Sequence, residues 1–355
     1  MKEFELIEQY FKPLCNFPGS RDLNDDTASI KLKANQELII SKDIIVENIH
    51  FKLSNQAYNI AYKLLQSNLS DIASSGSKPY GYVLGFSKNS KINNKFVKEF
   101  CRGLKDVQDQ YGIKLLGGDT VNSDQLFFSI TIFGIAKKDQ ILTRDKAQDK
   151  DLIFTSGTIG DAGIGLKLLE LNHRKYHDLI NRHLKPEARI NLGLALVKQK
   201  ISHCAIDISD GLLADLSKIA KASNLQAIVY LNNIAVSKSA QLFLRQNKNY
   251  HPINLLNSGE DYELIFTSPK KNLKKILDLA KKLKLNINCI GELKSNFRSN
   301  KNFIKINQQL SINNSYYKDE LTNLDKKYSS LFITNNLNFS KNINLSKIKL
   351  GYQHD

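Results

Sequence analysis

Five short segments of the chain put aspartates where carboxylates can do chemistry. Asp25-Asp26 precedes Thr27-Ala28, Asp43 sits inside an apolar run, and Asn68-Leu69-Ser70-Asp71 closes a helix-like stretch. Gly117-Gly118-Asp119-Thr120 follows Leu115-Leu116, and Asp207-Ile208-Ser209-Asp210-Gly211 ends a strand-like run and opens a helix-like one. An Asp at a helix start is ordinarily an N-cap. Recurrence at five such places points to a further use. Carboxylates at strand ends beside glycine turns suit Mg²⁺, a hard cation that takes oxygen ligands and keeps waters while it binds substrate phosphates. The chain has no G-x-x-x-x-G-K-[ST] run and no H-R-D with D-F-G pairing, which excludes P-loop and protein-kinase chemistry.

Other candidates for chemistry are sparse. Gly157-Thr158-Ile159-Gly160-Asp161 could turn its backbone N–H groups toward a phosphate, or could be a structural turn. His50 follows a strand-like run and can be a structural histidine or a ligand contact. Arg182-His183-Leu184-Lys185-Pro186, lying between helical stretches, favours a structural role. No Ser/His/Asp set is legible. Cys15, Cys101, Cys204 and Cys289 are far apart, so they form no zinc motif and read as reduced thiols.

The elements that must position these residues follow from hydropathy. Glu37–Val46, Gly81–Phe86 and Gln125–Ala136 read as strands, and Ala57–Ala73 and Asn94–Gln110 as helices. A boundary falls near residues 137–150. The pattern then restarts, with strands over 151–156, 203–208, 226–231 and 263–267 and helices over 162–171, 189–198, 212–222 and 273–283. At 355 residues the chain exceeds what one core normally serves, and mixed α/β structure in two domains is expected. Beyond Ser295 the composition turns to Asn, Lys and Ser with thinly spaced apolar residues.

Lys and Arg number 51 against 35 Asp and Glu, a net charge of +16. That balance admits nucleic acid, an anionic membrane surface or a phosphorylated substrate. The lysines are spread along the whole chain, so the charge reads as a compositional bias, and neither nucleic acid nor membrane is expected as a partner. No apolar run approaches 18 residues, and the N-terminus lacks a basic-then-apolar leader pattern. A soluble cytoplasmic protein is expected.

The order of the motifs resembles that of the thiamine-monophosphate kinases, within the aminoimidazole-ribonucleotide-synthetase-like superfamily. The resemblance rests on the five aspartate segments, Ser41-Lys42-Asp43 through His50-Phe51, Leu142-Thr143-Arg144, Gly157 to Asp161 and Arg182 to Pro186. Ser258-Gly259-Glu260-Asp261-Tyr262-Glu263-Leu264 and the closing Gly351-Tyr352-Gln353-His354 complete it. It implies a two-domain α/β fold: a domain over 1–140 with a mixed sheet, the metal and ATP site and the dimer contact, and an α/β domain over 148–295. An Asn/Lys-rich extension over 296–355 ends in the family-like tail. It also implies ATP-dependent phosphorylation of thiamine monophosphate with several Mg²⁺ ions, by a homodimer. The implied metal ligands are Asp26, Ser41, Lys42, Asp43, Asp71, Asp119, Asp207 and Asp210, with Ser41 and Lys42 serving through backbone oxygens. ATP contacts fall on Gly118, Asp119, Arg144 and Ser209, and substrate contacts on His50, Glu260 and Tyr352.

Three features depart from that family. Asp22-Leu23-Asn24-Asp25-Asp26 replaces a glycine-flanked Gly-x-Gly-Asp-Asp, Lys42 stands where Thr is usual, and about thirty extra residues precede Gly351. The Lys42 ammonium can point into the carboxylates or out to solvent, and opposite-charge attraction favours the first. The absence of a histidine base is consistent with a phosphate monoester nucleophile. Its second pKa of ~6 leaves it largely ionised at neutral pH.

Overall fold

The computed structural model describes residues 3–23, 27–295 and 304–307. The chain divides into two units, Met1–Ile141 and Leu142–Asp355. In the first, the short helix α1 (Glu3–Leu6) leads into further helical turns, followed by β1 (Gln36–Val46), α2 (Ala57–Ser74), β2 (Lys78–Lys88), α3 (Asn94–Tyr111), β3 (Lys114–Asn122) and β4 (Phe127–Lys137). The strands form one mixed sheet in the order β1-β4-β2-β3, with β2 and β3 parallel and the other pairs antiparallel.

Both long helices cover one face of this sheet. Helix α3 starts where the Asn93 side chain accepts from the Phe96 N–H, and it stops at Gly112, whose left-handed φ of 67° an L side chain rarely adopts. Its stripe of Val97, Phe100, Leu104 and Val107 is fully buried. Phe100 meets Phe86 of β2 and Phe128 of β4, with ring centroids 4.7 to 5.3 Å apart across the three pairs. Helices α2 and α3 approach closely at Gly103, where an added Cβ would stand 2.3 Å from the Tyr58 carbonyl oxygen.

The second unit holds β5 (Leu152–Ser156), α4 (Asp161–Glu170), α5 (His177–Leu184), α6 (Ile190–Lys198), β6 (Cys204–Asp207), α7 (Leu212–Ala222) and β7 (Leu225–Tyr230). It continues with α8 (Lys238–Gln246), the short α9 (Asn254–Asn257), β8 (Leu264–Ser268), α10 (Leu273–Leu283), β9 (Ile287–Ser295) and β10 (Ile304–Asn307). Its sheet runs β10-β7-β9-β5-β8-β6, antiparallel except for the β10–β7 pair. Ile153, Ile206, Leu216, Ile265 and Ile290 are core residues here, with exposure near zero.

Two local expectations are corrected. Gly117–Thr120 is no turn but the middle of β3, and a Cβ at Gly118 would lie 2.1 Å from the Leu84 carbonyl oxygen of β2. The glycine serves a close approach between parallel strands rather than a reversal. Arg182 and His183 lie inside α5, not between helices.

The glycine at the α2–α3 contact generates a stability prediction. Gly103→Ala should lower the melting temperature of the first unit, at a cost of about 1–3 kcal/mol for the overpacked contact. Calorimetry of the full chain checks it, and an unchanged first transition would show that the helices separate without strain.

Candidate active site

Strand alternation decides which residues of β1 can work together. Ser41 and Asp43 point to the face covered by α2, where the Ser41 hydroxyl donates to Asp71 Oδ2 at 2.5 Å. Asp71 stands in the last turn of α2, one turn after Ser67. Burial pushes the Asp43 carboxyl up to about 6, the negative charge of Asp71 adds to the rise, and the Ser67 hydroxyl opposes it. Two carboxylates thus share a half-buried, oxygen-lined corner.

Lys42 lies on the other face. It is exposed, and its Nζ is 3.4 Å from Thr131 Oγ1 of β4. The attraction that favoured an ammonium within the carboxylate group is overridden by the strand's period of two.

Asp119 also belongs to that other face. It sits in the row Ile44–Ser129–Gly85–Asp119, whereas Asp43 sits in the row Ile130–Leu84–Gly118. Since β1 and β3 are the two edges of the sheet, the sheet itself separates Asp43 from Asp119 within one chain. Among the described residues, no three His, Cys, Asp or Glu side chains converge on a metal-sized point. Asp26 and Tyr352 lie outside the described residues.

Gly118, Asp119 and Thr120 line a groove of about 150 Å³ that Ile7, Phe11 and Leu23 close from the N-terminal segment. That volume has room for part of a small ligand rather than a whole one. A larger cavity of about 350 Å³ at the ends of β2 and β3, beside Lys88, Asn122 and Asp124, holds none of the expected residues. His50 caps the end of β1: its Nδ1 accepts from the Val46 N–H at 3.2 Å, so a neutral ring carries its proton on Nε2.

In the second unit, the loop after β6 and the segment before β8 pair through their main chains. Glu260 N–H donates to Ser209 O at 2.9 Å, Tyr262 N–H to Ile208 O at 2.9 Å, and Ile208 N–H to Glu263 O at 2.8 Å. Ser209 and Glu260 are thereby neighbours. The helix cap in this loop is supplied by Asp215, not by Asp207 or Asp210. Its Oδ2 accepts from the N–H groups of Ser209, Asp210 and Gly211 at 3.0 to 3.1 Å. Lys218 donates to Asp215 Oδ1 at 2.7 Å and also pairs with Asp210. Asp207 is buried. Arg144 is anchored through its carbonyl, which accepts from Ser223 Oγ at 2.9 Å, and its exposed side chain is directed outward.

Beneath this loop pair sits a network that sequence reasoning missed. Glu263 is fully buried and accepts from Arg189 Nε at 2.7 Å, Arg182 Nη2 at 2.8 Å and Ser156 Oγ at 2.5 Å. Burial alone would raise its pKa, yet the charge and hydrogen bonds of Arg189, with help from Arg182, hold it below the usual carboxylate range. Asp261 is also buried and accepts from the N–H groups of Gly160 at 2.7 Å and Ala162 at 3.2 Å. Burial lifts its carboxyl to about 8, the Gly160 N–H opposing and the charge of Asp161 adding. The Gly157–Asp161 segment is therefore a structural turn: Gly157 N–H goes to Asn286 O, Ile159 N–H to Ala235 O, and Gly160 N–H to Asp261. Asp215, in the first turn of α7, was the signal within reach, because acids there commonly serve the helix N-terminus.

Residues 24–136 match the family model for the AIR synthase related protein, N-terminal domain, and residues 148–300 that for the C-terminal domain. A thiamine-monophosphate kinase of Buchnera aphidicola subsp. Acyrthosiphon pisum is 38% identical over 299 residues, covering 81% of this chain and 90% of the relative. The crystal structure of thiamine-monophosphate kinase from Stenotrophomonas maltophilia K279a superposes with a TM-score of 0.73 at 32% identity, covering 81% and 91% of the two chains. The complex "AaThiL complexed with AMPPCP and TMP" gives 0.70 at 27% identity, covering 86% and 93%.

The Asp261 carboxyl makes stability depend on pH. Its folded pKa lies above its unfolded one, so its contribution is full below about pH 4 and is lost as pH rises through about 8. Asp161, pushed up mainly by burial, adds a slope of the same sign. The melting temperature should therefore fall between pH 6 and pH 8.5, and Asp261→Asn should make that fall shallower. An equally steep decline in the variant would show that Asp261 is ionised throughout.

Proposed function

The chain belongs to the AIR synthase related family and, within it, to the thiamine-monophosphate kinases, and we infer that it moves a phosphoryl group from ATP to thiamine monophosphate, giving thiamine diphosphate. The observation that carries this reading is the identity over both domains with relatives of that one activity. No helix among the described residues is long and apolar enough to cross a membrane. A cytoplasmic location and a homodimer remain part of the proposal. The exposed Ile40 and Ile44 on the outer face of β1 support the latter.

The described donors fit a hard divalent cation. Asp43 and Asp71 with the Ser41 hydroxyl offer oxygen only, and the raised Asp43 carboxyl marks a place where a second negative charge is unwelcome until a cation shares it. Asp43 and Asp71 would hold one such ion, with Asp26, Asp119, Asp207, Asp210 and the backbone oxygens of Ser41 and Lys42 available to others. When bound, these ions supply the charge neutralisation that lets two polyanionic phosphates approach.

The side chains do the rest by position. Arg144 extends into solvent and can meet ATP phosphates, which accept bidentate hydrogen bonds from a guanidinium. Gly118 and Asp119 border the groove proposed for part of the nucleotide, and Ser209 borders Glu260 through the paired loops. Glu260, His50 and Tyr352 are proposed to hold the thiamine ester. The attacking oxygen of a phosphate monoester is already ionised at neutral pH, so no residue needs to remove a proton. Transfer then depends on alignment and charge.

Purified protein with ATP, Mg²⁺ and thiamine monophosphate should form thiamine diphosphate, and EDTA should stop it. Asp71→Asn and Asp43→Asn should each lower kcat by at least about a hundredfold without lowering the unfolding transition, because each relieves a like-charge repulsion. Turnover near the parent's in either variant would remove the pair from the site. Lys42→Thr should leave the Mg²⁺ dependence of the rate unchanged, because the ammonium faces away from Asp43.

A further inference from the structure

We propose that His183 is a positioning residue whose buried imidazole sets the Glu260 carboxylate for the thiamine ester. The proposal rests on the reading of Glu260 as a substrate contact. Glu260 has a main chain with little freedom: its φ is 66°, in the left-handed region, and its N–H is bonded to Ser209 O. The neighbouring Gly259 packs so closely that a Cβ there would lie 2.0 Å from the same Ser209 oxygen. The backbone therefore fixes where the side chain starts but not where its carboxylate ends.

That end is governed from α5. His183, 5% exposed, places Nδ1 3.1 Å from Glu260 Oε2. The imidazole nitrogen and the carboxylate oxygen already stand at hydrogen-bonding distance, and a small movement of the carboxylate onto a ligand can tighten the contact. The preceding Arg182 grips the same segment, donating from Nη2 to the Asp261 carbonyl at 3.2 Å and to Glu263 at 2.8 Å. Two neighbouring side chains in the last turn of α5 thus act on different parts of one segment. Arg182 holds the Asp261 carbonyl and the Glu263 carboxylate, and His183 holds the side chain of Glu260.

Helix α5 is itself placed by α4. A Cβ at Gly165 would stand 2.2 Å from Leu179 O and 3.0 Å from His183 Cβ, so only glycine lets α5 come near enough for the imidazole to reach Glu260. On the substrate side, thiamine monophosphate carries a cationic thiazolium and an amino-bearing pyrimidine. A carboxylate held in one direction can meet that cation or accept from that amine, whereas a wandering one must be ordered at each binding event.

Steady-state kinetics with both substrates varied tests this. His183→Gln, which moves the polar end of the side chain away from the Nδ1 position, should raise KM for thiamine monophosphate about tenfold, with kcat and the KM for ATP within about twofold. His183→Asn, whose amide falls near the Nδ1 position, should recover most of the loss. In the cycle with Glu260→Gln, the double variant should be no worse than Glu260→Gln alone.

A raised KM in Glu260→Gln with a normal one in His183→Gln would overturn the positioning role and leave the substrate reading intact. An unchanged KM in Glu260→Gln would overturn both. Additive penalties, or a fall in kcat at constant KM, would show that His183 acts by another route. If His183→Gln does not fold, Glu260→Asp takes its place, because the shorter carboxylate leaves His183 untouched but out of reach. The same rise in KM is then expected, and a parental KM would refute the proposal.

Discussion

A carboxylate buried without exposure can exist only if positive charge and hydrogen bonds replace its water, and Glu263 is such a group. Two arginines and a serine hydroxyl converge on it, and they come from α5, the loop before α6, and β5. Each of those segments is obliged to meet at one point. Gly157 is required there as well, since a Cβ would stand 2.0 Å from a Glu263 oxygen. Removing one member of such a buried group typically costs about 3–5 kcal/mol, because the others are left uncompensated. The geometry of the loops above, where Ser209 and Glu260 lie side by side, is inherited from this arrangement.

The first unit solves a different problem with a different device. Asp43 and Asp71 repel each other, yet both are held in place because one is carried by a strand and the other by a helix packed on that strand. The ring cluster of Phe86, Phe100 and Phe128 fixes the face on which α3 lies, and α2 lies against α3 through Gly103. A rigid apolar layer thus keeps two like charges at short range, where a cation would be most useful.

Much of this was legible in the residues. Helices 212–222 and 273–283 were read to the residue, because Gly211 and the apolar spacing mark them. β3 was not read, since Gly117-Gly118 looks like a turn, and only the neighbouring strand reveals why glycine is there. α8 was missed although Ser237 caps it by accepting from Ala240 N–H, a signal available in the sequence. The pairing of Glu263 with Arg182 and Arg189 joins residues 81 and 74 positions apart, and no local pattern encodes such a contact. The orientation of Lys42 was misread, because charge attraction was weighed ahead of the strand alternation that puts Ser41 and Asp43 on one face and residue 42 on the other.

Neighbouring positions on β1 are insulated from one another: one face carries the carboxylate corner while the next side chain along answers to different surroundings. A lysine of this basic chain can therefore stand in the middle of the strand without reaching the acidic corner one residue away. A helix would separate adjacent positions less completely, by about 100° of rotation instead of opposite faces. Carrying Asp43 on a strand lets a strongly basic chain keep an ammonium next in sequence to an acidic corner without placing it inside that corner.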